Sequence, residues 1–130
     1  MQQPSADQQR ITGEIADYRL DPDGILYAYS KHTRRTISSI RENIQLVKKI
    51  TGNKKVPLLI FLVNAPVPDK KTREFAAGQL PEVYTAMAMV TKTGLAKFIM
   101  RMLFHRKTPP IPMKIFSDEQ EAKHWLMQFR

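Results

Sequence analysis

Hydrophobic positions along the 130 residues alternate between two periods, and the switches between them mark the elements. Alternation over Glu14 to Leu20 and Ile25 to Tyr29 predicts two strands. Between them, Asp21-Pro22-Asp23-Gly24 predicts a turn, since proline presets one dihedral and glycine accepts a positive φ. From Thr36 to Thr51, Ile37, Ile40, Ile44 and Val47 recur at spacings of three and four, which places them on one helix face. Thr36 is the expected N-cap, and Gly52-Asn53 the left-handed stop. Val56 to Val63 carries no charge and predicts a central strand covered on both faces, with Pro57 confined to its start. After the stiff connection Asn64-Ala65-Pro66-Val67-Pro68, Asp69 is placed to cap a helix through Phe75 and Ala77 that stops around Gly78. Leu80 to Tyr84 predicts a short helical turn leading onward.

The pattern is clearest over the last third of the chain. Ala86 to Val90 predicts a short strand, Thr91 or Thr93 a cap, and Leu95, Phe98, Ile99, Met102 and Leu103 the core stripe of a helix ending near His105. Thr108-Pro109-Pro110-Ile111-Pro112 cannot continue a helix, so the chain crosses extended into a strand at Met113 to Phe116. Ser117-Asp118-Glu119-Gln120 has the form of a capping box, followed by the apolar face Ala122, Trp125, Leu126 and Phe129. The order β-β-α-β-α-β-α-β-α predicts an α/β domain with a mixed sheet of about five strands flanked by helices, since helical crossovers join parallel strands. Residues 1–12 are polar, Gln-rich and without periodicity, which predicts a disordered arm before a single domain over 13–130.

Composition narrows the chemistry more than the fold. Cysteine is absent, which excludes thiol catalysis, disulfides and thiolate zinc sites, and His32, His105 and His124 lie far apart. No apolar run approaches the roughly 20 residues of a spanning helix, and the start lacks the basic and apolar regions of a signal peptide. The expected location is cytoplasmic, with peripheral membrane contact as the variant. The net charge of +9 is concentrated in residues 31–55 (eight basic, one acidic) and 92–107 (five basic, none acidic). Such asymmetry favours anionic partners.

The succession Ala86, Ala88, Val90, Thr93, prolines, Phe116-Ser117-Asp118-Glu119, Ala122 and Trp125-Leu126, preceded by the hairpin and by Val56 to Asn64, resembles an uncharacterised bacterial STAS-like (SpoIIAA-like) family. The likeness covers about residues 14 to 129. It implies a STAS-like mixed sheet and a regulatory or interaction module. Anti-anti-sigma members of the wider superfamily carry a phosphorylatable serine where the loop after the central strand meets the next helix. The matching loop here has no serine, and Asp69 and Thr72 stand near that position.

Candidate binding residues cluster after the strand at Ala86 to Val90. Thr91-Lys92-Thr93-Gly94 offers hydroxyls, an ammonium and an uncrowded backbone, a candidate anion cradle. Beyond it, Met100 and Phe104 form an apolar ridge beside the basic edge of Lys97, Arg101 and His105, suited to self-association, a protein partner or an acidic lipid surface. The basic residues of 31–55 lack nearby aromatics other than Tyr27 and Tyr29, which counts against nucleic acid. No nucleophile-base order, metal spacing or glycine-rich phosphate loop stands out, so no enzyme and no cofactor are expected. The expected function is a non-catalytic binding or regulatory module acting through protein contact. Phosphate or anionic-lipid binding and weak nucleic-acid binding are the alternatives.

Overall fold

The computed structural model describes residues 10–92 and 109–130. Its strands are β1 (Ile11–Thr12), β2 (Ala16–Leu20), β3 (Leu26–Ser30), β4 (Val56–Phe61), β5 (Tyr84–Val90) and β6 (Met113–Phe116), and its helices α1 (Ile37–Thr51), α2 (Lys70–Val83) and α3 (Glu119–Leu126), the last running into a 3-10 turn at Met127–Phe129. The strands form one six-stranded sheet in chain order. β1, β2 and β3 pair antiparallel, and β3 through β6 pair parallel. The mixed α/β architecture is as expected, with one strand more. That strand, β1, lies ahead of Gly13, where order was expected to begin. It is held by the tight Gly13 N–H to Ala16 carbonyl bond of 2.9 Å. A Cβ on Gly13 would lie 2.7 Å from that carbonyl and 2.9 Å from Leu46, so only glycine permits the turn.

Period two in the strands sorts the side chains onto two faces. Tyr18, Leu26, Ala28, Leu58, Met87 and Met89 point to a core shared with Ile40, Ile44 and Val47 of α1 and with Leu80 and Val83 of α2. Tyr27, Leu59, Ala86 and Ala88 point the other way, against Ala122 and Leu126 of α3. β4 is thus covered on both sides, as its uninterrupted apolarity requires. Fully burying each Leu or Ile contributes about 1.5–3 kcal/mol, so this central strand anchors the domain.

Local chemistry explains most element ends. Thr36 caps α1, accepting from the Ser39 amide at 3.0 Å while Ser39 Oγ accepts the Thr36 N–H at 2.9 Å. Gly52 (φ 66) and Asn53 (φ 65) close α1 in the left-handed region. Several boundaries differ from expectation: β2 begins at Ala16 instead of Glu14, and β5 at Tyr84 instead of Ala86. β4 ends at Phe61, two residues before Val63. α2 does not stop at Gly78 but continues through Gly78 and Pro81 to Val83, because its last turn carries Leu80 and Val83 into the core. Tertiary burial there outweighs the roughly 1 kcal/mol that an interior glycine costs and the hydrogen bond that proline cannot donate. α3 is capped by Asp118, whose Oδ2 accepts from the Glu121 amide at 2.8 Å, one residue beyond the predicted Ser117. The carboxylate is the stronger acceptor toward a helix N-terminus.

Candidate functional site

The carboxyl ends of β3, β4 and β5 gather the loops in which open α/β sheets hold ligands. Three interactions build this end. Arg35, just before α1, donates Nη1 to the carbonyls of Lys31 and Thr33 at 2.6 Å each, and Nη2 to the Ile15 carbonyl at 3.1 Å and Ser30 Oγ at 2.6 Å. It pins the β3–α1 loop to the first hairpin, and its partial burial lowers its pKa from the ordinary value. His32 Nδ1 donates to the Asn64 carbonyl at 2.5 Å, joining that loop to the one after β4. Asp69 caps α2 through the Thr72 amide at 2.8 Å, and hydrogen bonds from Thr72 hold its carboxyl below the usual aspartate value.

Between these loops, α1, α2 and the sheet lies a cavity of about 380 Å³. Its walls are apolar: Ile40 and Ile44 from α1, Ala76, Ala77 and Leu80 from α2, Leu58 and Leu62 from the β4 region, Met87 from β5 and Met113 from β6. Val63 to Pro68 forms one side, and Val67 there is 40 % exposed, a large apolar side chain on a proline-stiffened lip. Lys70 and Arg73 with Glu74 supply charge to the lining, and Arg73 Nη1 also donates to the Pro68 carbonyl at 2.8 Å. Tyr84 and Asn43 line another part. Tyr18 lies beside both, and burial pushes Tyr18 up to about 12 and Tyr84 well above 10. Both phenols therefore stay neutral hydrogen-bonding groups at physiological pH. The volume and the mix of apolar wall with a few polar groups fit a small-molecule site.

The residues singled out from sequence are distributed unevenly over this end. Thr91 is 9 % exposed, its amide donates to the Phe116 carbonyl at 3.1 Å, and its buried hydroxyl has no partner among the described residues. Lys92 is exposed beside it. Thr93, Gly94, Lys97, Met100, Arg101 and Phe104 lie outside the described residues, so the structure places only the entrance of that candidate cradle. Thr72 is 7 % exposed, serving the Asp69 cap. Among the described residues no group of three or more His, Asp or Glu could hold a metal ion, and no helix is long and apolar enough to cross a membrane.

Two features escaped sequence reasoning. The cavity arises where α1, α2 and the β4 loop meet. On the opposite face, strand register aligns Tyr29, Phe61, Val90 and Phe116 into one half-buried row across β3 to β6. Tyr29 and Phe61 stack at 5.1 Å and 9°. Tyr29, Val90 and Phe116 end expected strands, but Phe61 lies two residues inside the expected end at Val63, so the row was not visible in the chain.

Residues 18–130 match a family described as a domain of unknown function, DUF7793. Comparison with curated proteins finds no match. Among solved structures the chain is similar to an uncharacterized protein of the DUF3478 family with a SpoIIAA-like fold from Shewanella loihica PV-4, at 15 % identity, with 90 % of each chain covered and a TM-score of 0.53. At that identity the likeness establishes the SpoIIAA-like fold, in agreement with the resemblance drawn from the sequence.

Proposed function

The chain belongs to the DUF7793 family of domains of unknown function, and from that footing we propose that it is a non-catalytic binding module whose cavity receives the apolar body of an amphiphile with an anionic end. The cavity of about 380 Å³ carries this reading, because its walls are apolar while Arg35, Lys70 and Arg73 outnumber Glu74, which Lys70 pairs at 4.0 Å, among its charged residues. Arg35 acts as a positioning residue, since its guanidinium is already engaged by the surrounding loops. The amphiphile would be met in the cytoplasm as a free molecule or at an acidic membrane surface.

Contact with a protein partner, or with a second copy, is the second reading. It is favoured by Val67, 40 % exposed between two prolines on the lip. Native mass spectrometry of the purified protein separates the two. A monomer carrying a co-purified ligand of a few hundred daltons is the expected result. A ligand-free dimer would overturn the small-ligand reading and assign the lip to protein contact.

A further inference from the structure

The sheet face opposite the cavity holds a second arrangement. α3 packs on β4, β5 and β6. The row Tyr29, Phe61, Val90 and Phe116 nevertheless stays half-buried. Cations sit on its rings. The Arg10 guanidinium lies 3.7 Å from the Tyr29 centroid, and Lys114 Nζ 5.4 Å from that of Phe116. Arg19 covers Tyr27 at 4.0 Å and donates Nε and Nη2 to the Tyr29 hydroxyl at 3.3 Å each. Asp17, opposite Tyr29 in the ladder, is paired by Lys31 at 3.0 Å.

We propose that this row binds single-stranded nucleic acid. The sequence argument against nucleic acid was the lack of aromatics near the basic residues of 31–55. The cations that meet aromatics on this face are a different set: strand pairing brings Phe61 against Tyr29 and sets Arg10, Arg19 and Lys114 beside the row. Three strand spacings give the row a length of about 14 Å, enough for a few nucleotides of extended strand. Arg10 covers the Tyr29 ring in the free chain, so a base stacks there by displacing that exposed guanidinium, which then pairs with the phosphate beside it. A second copy of the chain would bring like charges together across a two-fold contact, so a polyanion is the better match to this face. Stacking distinguishes a nucleic acid from an acidic peptide, which needs the cations alone.

Fluorescence anisotropy of a labelled oligothymidine with the full chain at low salt tests this. Binding is expected to weaken as salt rises, with a log–log slope of about −0.7 per phosphate contacted. Phe61→Leu keeps the apolar volume and loses the ring, so affinity should fall roughly tenfold. The exposed Arg10→Gln should make the slope shallower by about 0.7, and Tyr29→Phe, which keeps the ring, should bind within about twofold of the parent. Circular dichroism checks folding of each variant. Absence of binding at low salt, or parental affinity in both Phe61→Leu and Arg10→Gln, overturns the proposal. Displacement by polyglutamate as effective as by unlabelled oligonucleotide also overturns it, assigning the face to an acidic peptide.

Discussion

At the amino end of β3 the Asp21 side chain is only 3 % exposed, accepts from the Asp23 and Ile25 amides at 2.9 and 3.0 Å, and meets Lys123 of α3 at 3.1 Å. Lys123 also meets Asp23 at 2.9 Å, so one ammonium clamps the hairpin turn to the helix. At the carboxyl ends of β3 and β4, loops instead surround a cavity, and Lys70 and Arg73 line it beside a single carboxylate. The amino end matches donors to acceptors within the fold. At the carboxyl end Lys70 pairs with Glu74 at 4.0 Å and Arg73 reaches only the Pro68 carbonyl, which leaves apolar wall and one cation in excess of the carboxylate. That difference supports the proposed site better than the total charge does, because cations such as Lys123 and Arg35 hold the chain together.

Breaking the clamp should have the largest effect. Asp21→Ala removes a buried acceptor of two amides and an ammonium, and should cost about 3 kcal/mol in urea unfolding. Filling the other end should separate binding from stability: Ala77→Phe places a ring in the cavity and should abolish uptake of an amphiphilic dye with little change in thermal midpoint. The clamp also has a pH signature. The Lys123 hydrogen bond and charge hold Asp23 below its ordinary 3.8, so its contribution is complete above that value and lost as pH falls through the lower folded one. Hydrogen bonds that it donates to Asp23 and then Asp21 hold Lys123 above its ordinary 10.5, so its contribution is complete below 10.5 and lost as pH rises through the folded value. A double-mutant cycle of Asp23→Asn and Lys123→Met should therefore show constant coupling from pH 5 to 9 and declining coupling in strong acid; coupling that changes within that window would contradict the assignment. Smallest of all, Thr36→Ala should lower stability by about 1 kcal/mol through loss of the α1 cap, read by the same unfolding measurement.

The elements legible in sequence were those whose causes are local. Thr36, Gly52 and Asp69 act within a few residues of themselves, and the alternation of β2 and β3 sits beside its own turn. Misreadings came where distant packing outweighs a local signal, as when burial of Leu80 and Val83 carries α2 past Gly78 and through Pro81. Choosing Ser117 over Asp118 as the cap was a one-residue error between adjacent acceptors. The cavity and the Tyr29–Phe61 stack were beyond periodicity altogether, since they need α1 set beside α2 and the register of β3 against β4.

The account rests on the carboxyl-end cavity being a binding site, and titration with 1-anilinonaphthalene-8-sulfonate, an anionic aromatic probe, tests it most directly. Saturable fluorescence enhancement with the parent, lost in Ala77→Phe and weakened in Arg73→Gln while both variants melt like the parent, is the predicted result. Equal enhancement in the parent and in a folded Ala77→Phe would contradict it.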